Sequence, residues 1–176
     1  ALGQALPEPY ELLEPLEGPP LDLLIIGCGN LLRGDDALGP IVVRRMWEQV
    51  DLPANVRLLD AGTSGMDVVF QMRGALKVIL IDACATGAEP GTVYQLSAAD
   101  VETLPQPGTL GSHDFRWDHS LAFGQWLLGP LMPKDIEIYL VEAQNVAHGA
   151  DLSEAAQAGA LAVQKRIEAE VDRVRT

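Results

Sequence analysis

The stretch Lys77–Ala83, KVILIDA, limits the fold of this chain more than any other. Its apolar side chains fall at successive positions instead of alternate ones, so both faces of a strand here must be covered. Such a strand belongs in the middle of a parallel sheet. Two further runs of strand length, Leu23–Gly27 and Val56–Gly62, precede it, and Asp135–Ala143 follows with clear alternation. Gly91–Ser97 also alternates and reads as an edge strand. Helical spacing lies between these runs. Leu38, Ile41, Val42, Arg45, Met46 and Gln49 recur around one helical period, and SGMDVVFQMRG forms a short helix that Gly74 stops. WDHSLAFGQWLLG starts a helix near Asp118, and a long closing helix follows Ser153, whose hydroxyl caps it. Strands alternating with helices imply an α/β fold, a three-layer α/β/α sandwich on a mostly parallel twisted sheet of about five strands.

The chain is short enough for a single domain. Residues 1–20, rich in Pro and Glu and without a clean period, read as an N-terminal extension, and residues 21–176 as the α/β domain. With 25 acids against 12 bases the net charge is −13, which repels nucleic acid and anionic membranes. The apolar runs are far shorter than the roughly 20 residues of a membrane helix. The start shows no charged-then-apolar leader, and Cys28 and Cys84 are too few for a disulfide framework. A cytoplasmic monomer is the expectation.

The first strand runs into GCGNLLRGDDALGP, Gly27–Pro40. Gly29 and Gly34 have the spacing of a phosphate-binding loop, but Asp35 and Asp36 stand where its lysine and hydroxyl belong. Two carboxylates repel phosphate. A dinucleotide fingerprint fails as well, because Leu32 occupies its third glycine. One of the two acids is expected to cap the next helix, with Pro40 in its first turn. The other is then free to meet a cation at the C-terminal edge of the sheet. Asp82 ends the most apolar strand at the same edge. His119 falls within the first turn of its helix, where the positive end of the helix dipole disfavours an imidazolium and leaves a neutral nitrogen for metal. His113 is the reserve ligand, and His148 reads as an ordinary loop residue. Asp36, Asp82 and His119 thus make a set of two carboxylates and one imidazole, suited to zinc, nickel or another borderline divalent ion.

The ordered segments GCGNLLRGDDALGP, LLDAGTSGMDVV, LIDACATGAEPGTVYQL and WDHSLAFGQWL resemble the nickel–iron hydrogenase maturation proteases, from Leu23 to about Val163. The resemblance implies an endopeptidase that clips a C-terminal extension from the hydrogenase large-subunit precursor after nickel insertion. It also implies that Asp36, Asp82 and His119 recognise nickel supplied by the substrate, without a permanent metal of the protease's own. Asp60–Gly65, DAGTSG, matches a family loop linked with substrate recognition, with Ala61 in place of a glycine. No Ser–His–Asp triad and no HExxH helix is evident, so the base is open and Asp35 is one candidate. Cys28 and Cys84 flank the edge as soft ligands or as small buried hydrophobes. Two other functions fit the same residues: a nickel-inspecting chaperone that does not cut, and a self-sufficient metallopeptidase of other specificity.

Overall fold

The computed structural model describes residues 3, 5–63, 65–101 and 117–175. The strands are β1 (Leu21–Cys28), β2 (Val56–Gly62), β3 (Ala75–Cys84), β4 (Val93–Ser97) and β5 (Asp135–Glu142). The helices are α1 (Leu38–Gln49), α2 (Gly65–Met72), α3 (Ala98–Val101), α4 (Trp117–Leu128) and α5 (Glu154–Val174). One five-stranded sheet has the order β2-β1-β3-β5-β4. All neighbouring strands are parallel except β4, which pairs antiparallel along β5 as the edge.

The central place of β3 follows from its side chains. Val78, Ile79, Leu80 and Ile81 are all fully buried, two on each face of the pleat. Ile79 and Ile81 join Leu23 and Ile25 of β1 beneath α1 and α5, through Val42, Met46, Val163 and Ile167. Val78 and Leu80 join Leu24 and Ile26 beneath α2 and α4, through Val68, Met72, Leu121 and Leu128. Each of these side chains contributes about 1.5–3 kcal/mol by leaving water, so the two cores clamp the sheet from both sides. This is the three-layer sandwich that the alternation implies.

Local departures from the sequence reading have physical causes. β1 and β3 each begin two residues earlier than expected, because Leu21 pairs with Ala75 across them. Neither acid of the opening loop caps α1. Asp35 and Asp36 lie in a 3-10 turn, Gly34–Ala37, and the residue before the helix is Ala37, with no side-chain cap. Pro40 does fall in the first turn of α1, and Ser153 does cap α5 by accepting from Ala156 N at 3.2 Å. Ahead of β1, a 3-10 turn at Pro9–Leu12 sets Tyr10 against Gly129, and Leu13 packs against the core beneath α2 and α4.

The glycines of the opening loop serve close packing. A Cβ on Gly27 would collide with the Gly39 carbonyl, and one on Gly39 with the carbonyl of Cys28. The start of α1 therefore lies directly on the ends of β1 and β3, and the 3-10 turn ahead of it touches β3.

Candidate active site at the C-terminal edge of the sheet

Four acids gather where the parallel strands end: Asp35 and Asp36 after β1, Asp82 in β3 and Glu142 at the end of β5. Asp36 is buried, and its Oδ2 accepts from Asn30 N at 3.2 Å. The Asn30 side chain closes its own turn by accepting from Leu32 N at 2.9 Å. Asp82 is half-buried, and its Oδ1 accepts from Ala83 N at 2.8 Å. By alternation along β3 it shares the face of Val78, Leu80 and Cys84, the face that α2 and α4 cover.

His119 is in the first turn of α4. The opposite end of α4 leads through Gly129–Leu131 into the start of β5, so this first turn is the end remote from the N-terminal edge of the sheet. The His119 side chain lies outside the described residues, as does all of His113. His148 is exposed in the loop after β5, in keeping with an ordinary loop residue. Among the described residues no group of three His, Cys, Asp or Glu forms a metal-holding cluster.

Asp35 is fully buried, with both oxygens engaged by donors. Oδ2 accepts from Gln144 N at 2.7 Å, Asn145 N at 3.1 Å and Ser153 Oγ at 2.7 Å, and Oδ1 accepts from Ser153 N at 2.7 Å. Burial on its own would raise its pKa, but the bonds from Ser153, Gln144 and Asn145 outweigh it and hold the carboxyl below the ordinary value. A carboxylate so engaged is a poor proton acceptor, and the role of general base does not suit it.

Glu142 is the acid that the sequence reading missed. It is 1% exposed and accepts from Cys84 Sγ at 3.2 Å, Thr86 N at 2.6 Å, Thr86 Oγ1 at 2.9 Å and Gly87 N at 3.0 Å. It ties the loop after β3 to the end of β5. Burial pushes its pKa up, and the Cys84 and Thr86 bonds more than reverse that. Its signal was present: Ile136, Ile138 and Leu140 are buried on one face of β5, and position 142 continues that face.

Both cysteines behave as buried thiols. Cys28 is 4% and Cys84 2% exposed. Burial raises each pKa, with Asp82 adding to both and the Glu142 bond adding to that of Cys84. A thiol held protonated is a weak metal ligand.

An open pocket of about 440 Å³ is lined by Gly29–Leu31 of the opening loop and by Asp60–Thr63 at the end of β2. Asp60 forms its wall, held by Arg44 at 3.1 Å and by the amide of Gly62 at 3.1 Å. Leu31, 42% exposed, contributes to the lining. Further along the opening loop, the Arg33 Nε is buried without a hydrogen-bond partner among the described residues. The pocket lies at the C-terminal edge of the sheet, where ligand crevices of parallel sheets form.

Comparison with known proteins gives a consistent result. The family model described as HycI, hydrogenase maturation protease, matches residues 40–170. The hydrogenase 2 maturation protease of Escherichia coli is 34% identical over 83 residues, 47% of this chain and 51% of that protein. The hydrogenase expression/formation protein HoxM of Azotobacter vinelandii is 39% identical over 124 residues, 66% of this chain and 60% of that protein. The chain spans about half the length of several curated relatives it matches. Among solved structures, the hydrogenase maturating endopeptidase HybD from Escherichia coli superposes with a TM-score of 0.73 at 23% identity, covering 87% of this chain and 93% of that one. The [NiFe] hydrogenase maturation protease HybD from Thermococcus kodakarensis gives 0.69 at 21% identity, covering 86% and 99%. These structures share the fold.

Proposed function

The chain belongs to the hydrogenase maturation protease family, and from that premise we propose that it is an endopeptidase acting on a nickel-loaded hydrogenase large-subunit precursor. The bond it cuts releases a C-terminal extension. The observation that carries this reading is that Asp36, in the turn after β1, and Asp82, near the end of β3, both fall at the C-terminal edge of the sheet, where the pocket lined by Gly29–Leu31 and Asp60–Thr63 also opens.

In this reading the nickel is part of the substrate. Asp36, Asp82 and His119 complete its coordination, and the chain keeps no metal of its own. The net charge of −13 and the acids of this edge attract a divalent cation and disfavour a precursor that lacks one. Nickel so placed polarises the scissile carbonyl or activates water. The pocket wall, Asp60 to Thr63, holds the segment that carries the scissile bond. The chemistry asks for protein carboxylates held in place, and the close packing of the opening loop on the ends of β1 and β3 suits that role for Asp36.

The test is cleavage of purified precursor by the full chain, followed by intact mass. Loss of the extension supports the protease. Nickel-dependent binding with no change in mass would favour the non-cutting chaperone instead. Cleavage of generic peptides by protein that retains its own metal through chelation would favour the self-sufficient peptidase.

A further inference from the structure

The adjacent acids Asp35 and Asp36 differ in their surroundings, and the difference divides their labour. We propose that Asp35 is a positioning residue: it clamps the turn after β1 to the turn after β5 and thereby fixes the Asp36 carboxylate at the sheet edge. The functional part of this inference rests on the reading that Asp36 acts on the substrate's nickel; the clamp itself does not.

Every donor to the Asp35 side chain comes from residues 144–153, between 109 and 118 positions away in sequence. Its own amide donates back to Asn145 O at 2.8 Å, and Gly149 N donates to Leu32 O at 2.8 Å. The two turns are in direct contact: Gly34 takes φ +50°, and a Cβ there would collide with the Asn145 carbonyl. Ser153 carries the constraint further, because its hydroxyl donates to Asp35 while accepting from Ala156 N at the start of α5. The opening loop is thereby referenced to a helix of 21 residues that packs along the sheet.

A carboxylate is the group this knot requires. It offers acceptors on both oxygens, and asparagine would turn one of them into a donor facing Ser153 N or the cluster at Gln144, Asn145 and Ser153. One residue later, Asp36 sits in the same 3-10 turn, with its Oδ2 against Asn30 N. If the clamp slackens, the Asp36–Asn30 contact in that turn should loosen with it.

The experiment uses the full chain with Asp35→Asn, Ser153→Ala and the double variant, read in two ways. Without any substrate, hydrogen exchange at the Asn30 amide should accelerate in Asp35→Asn, and less in Ser153→Ala, which keeps the backbone donor. On nickel-loaded precursor, kcat should fall on the order of 100-fold in Asp35→Asn while KM stays within about twofold, the pattern of a misplaced group and not of lost binding. In kcat the double variant should be no worse than Asp35→Asn, because the Ser153 hydroxyl reaches the opening loop through Asp35; its separate cap on Ala156 should show in stability alone. Unchanged Asn30 exchange in Asp35→Asn overturns the clamp, whatever the activity. A loss confined to KM overturns the positioning of Asp36. If Asp35→Asn does not fold, Ser153→Ala decides by the same two readouts. Wild-type protein that leaves the precursor intact defeats the proposed protease, and the exchange result still decides the clamp.

Discussion

The two edges of the sheet handle their acids in different ways. At the N-terminal edge a largely buried lysine draws three partly exposed or exposed acids together: Lys77 Nζ lies 3.0 Å from Glu170, 3.3 Å from Glu137 and 3.8 Å from Asp135. At the C-terminal edge Asp35 and Glu142 are satisfied by amides, hydroxyls and a thiol. Amide donors stabilise a carboxylate without cancelling its charge, so that edge keeps a negative field. The lesson is that one edge meets its acids with a cation, while the buried acids Asp35 and Glu142 of the other are met by uncharged donors that leave their charge in place.

The largest expected effect separates the edges by activity. Asp36→Asn, Asp82→Asn and His119→Ala should each lower precursor cleavage by about 100-fold or more, since each removes a proposed donor to the substrate's nickel. Circular dichroism should show the fold retained. Lys77→Met at the other edge should leave cleavage within about twofold, as should His148→Ala. Equal losses at both edges would break the distinction.

Next in size is the stability of the anionic edge. Glu142→Leu strands the Cys84 thiol and the donors of Thr86 and Gly87, which should cost about 3 kcal/mol in urea unfolding. The pH dependence sharpens this. The pKa values of Asp35 and Glu142 are lowered on folding, so their contribution is complete above the ordinary carboxylate value of about 4 and fades as the pH falls through the folded values. Wild-type stability should drop on that acid limb, and Glu142→Gln should flatten it. An unchanged acid limb would show that Glu142 titrates as it does in the unfolded chain.

The smallest effect concerns the edge at Lys77, and its sign is reversed. Burial would lower the pKa of Lys77, but Glu170 and Glu137 raise it overall. Its contribution is therefore present below the ordinary lysine value of about 10.4 and is lost as the pH climbs through the higher folded value. Lys77→Met should cost about 1–2 kcal/mol near neutral pH and flatten the alkaline limb of the stability profile, with the acid limb little changed.

The same contrast explains what could be read from the sequence. The sheet was legible because its signals are local: KVILIDA announces a strand covered on both faces, and Ser153 announces a helix start. The edge that holds Asp36 and Asp82 was legible because strand ends and loops follow from those elements. The roles of Asp35 and Glu142 were not. Asp35 looks like a helix cap when only its neighbours are considered, yet its donors lie more than 100 positions away, in a turn that tertiary packing brings beside it. Glu142 gave a fainter sign, an acid continuing the buried face of β5, and its donors likewise come from a different strand's loop. Lys77 opens the run that defines the central strand, but the acids it meets belong to β5 and α5. Periodicity reports which face a residue takes, and says nothing of which distant donor meets it there.

The central claim is that the anionic edge acts on a metal carried by the substrate. Its most direct test is wild-type protein incubated with one large-subunit precursor, prepared with and without nickel and followed by intact mass. The account predicts loss of the C-terminal extension from the nickel-loaded form alone. Equal cleavage of both forms would contradict it.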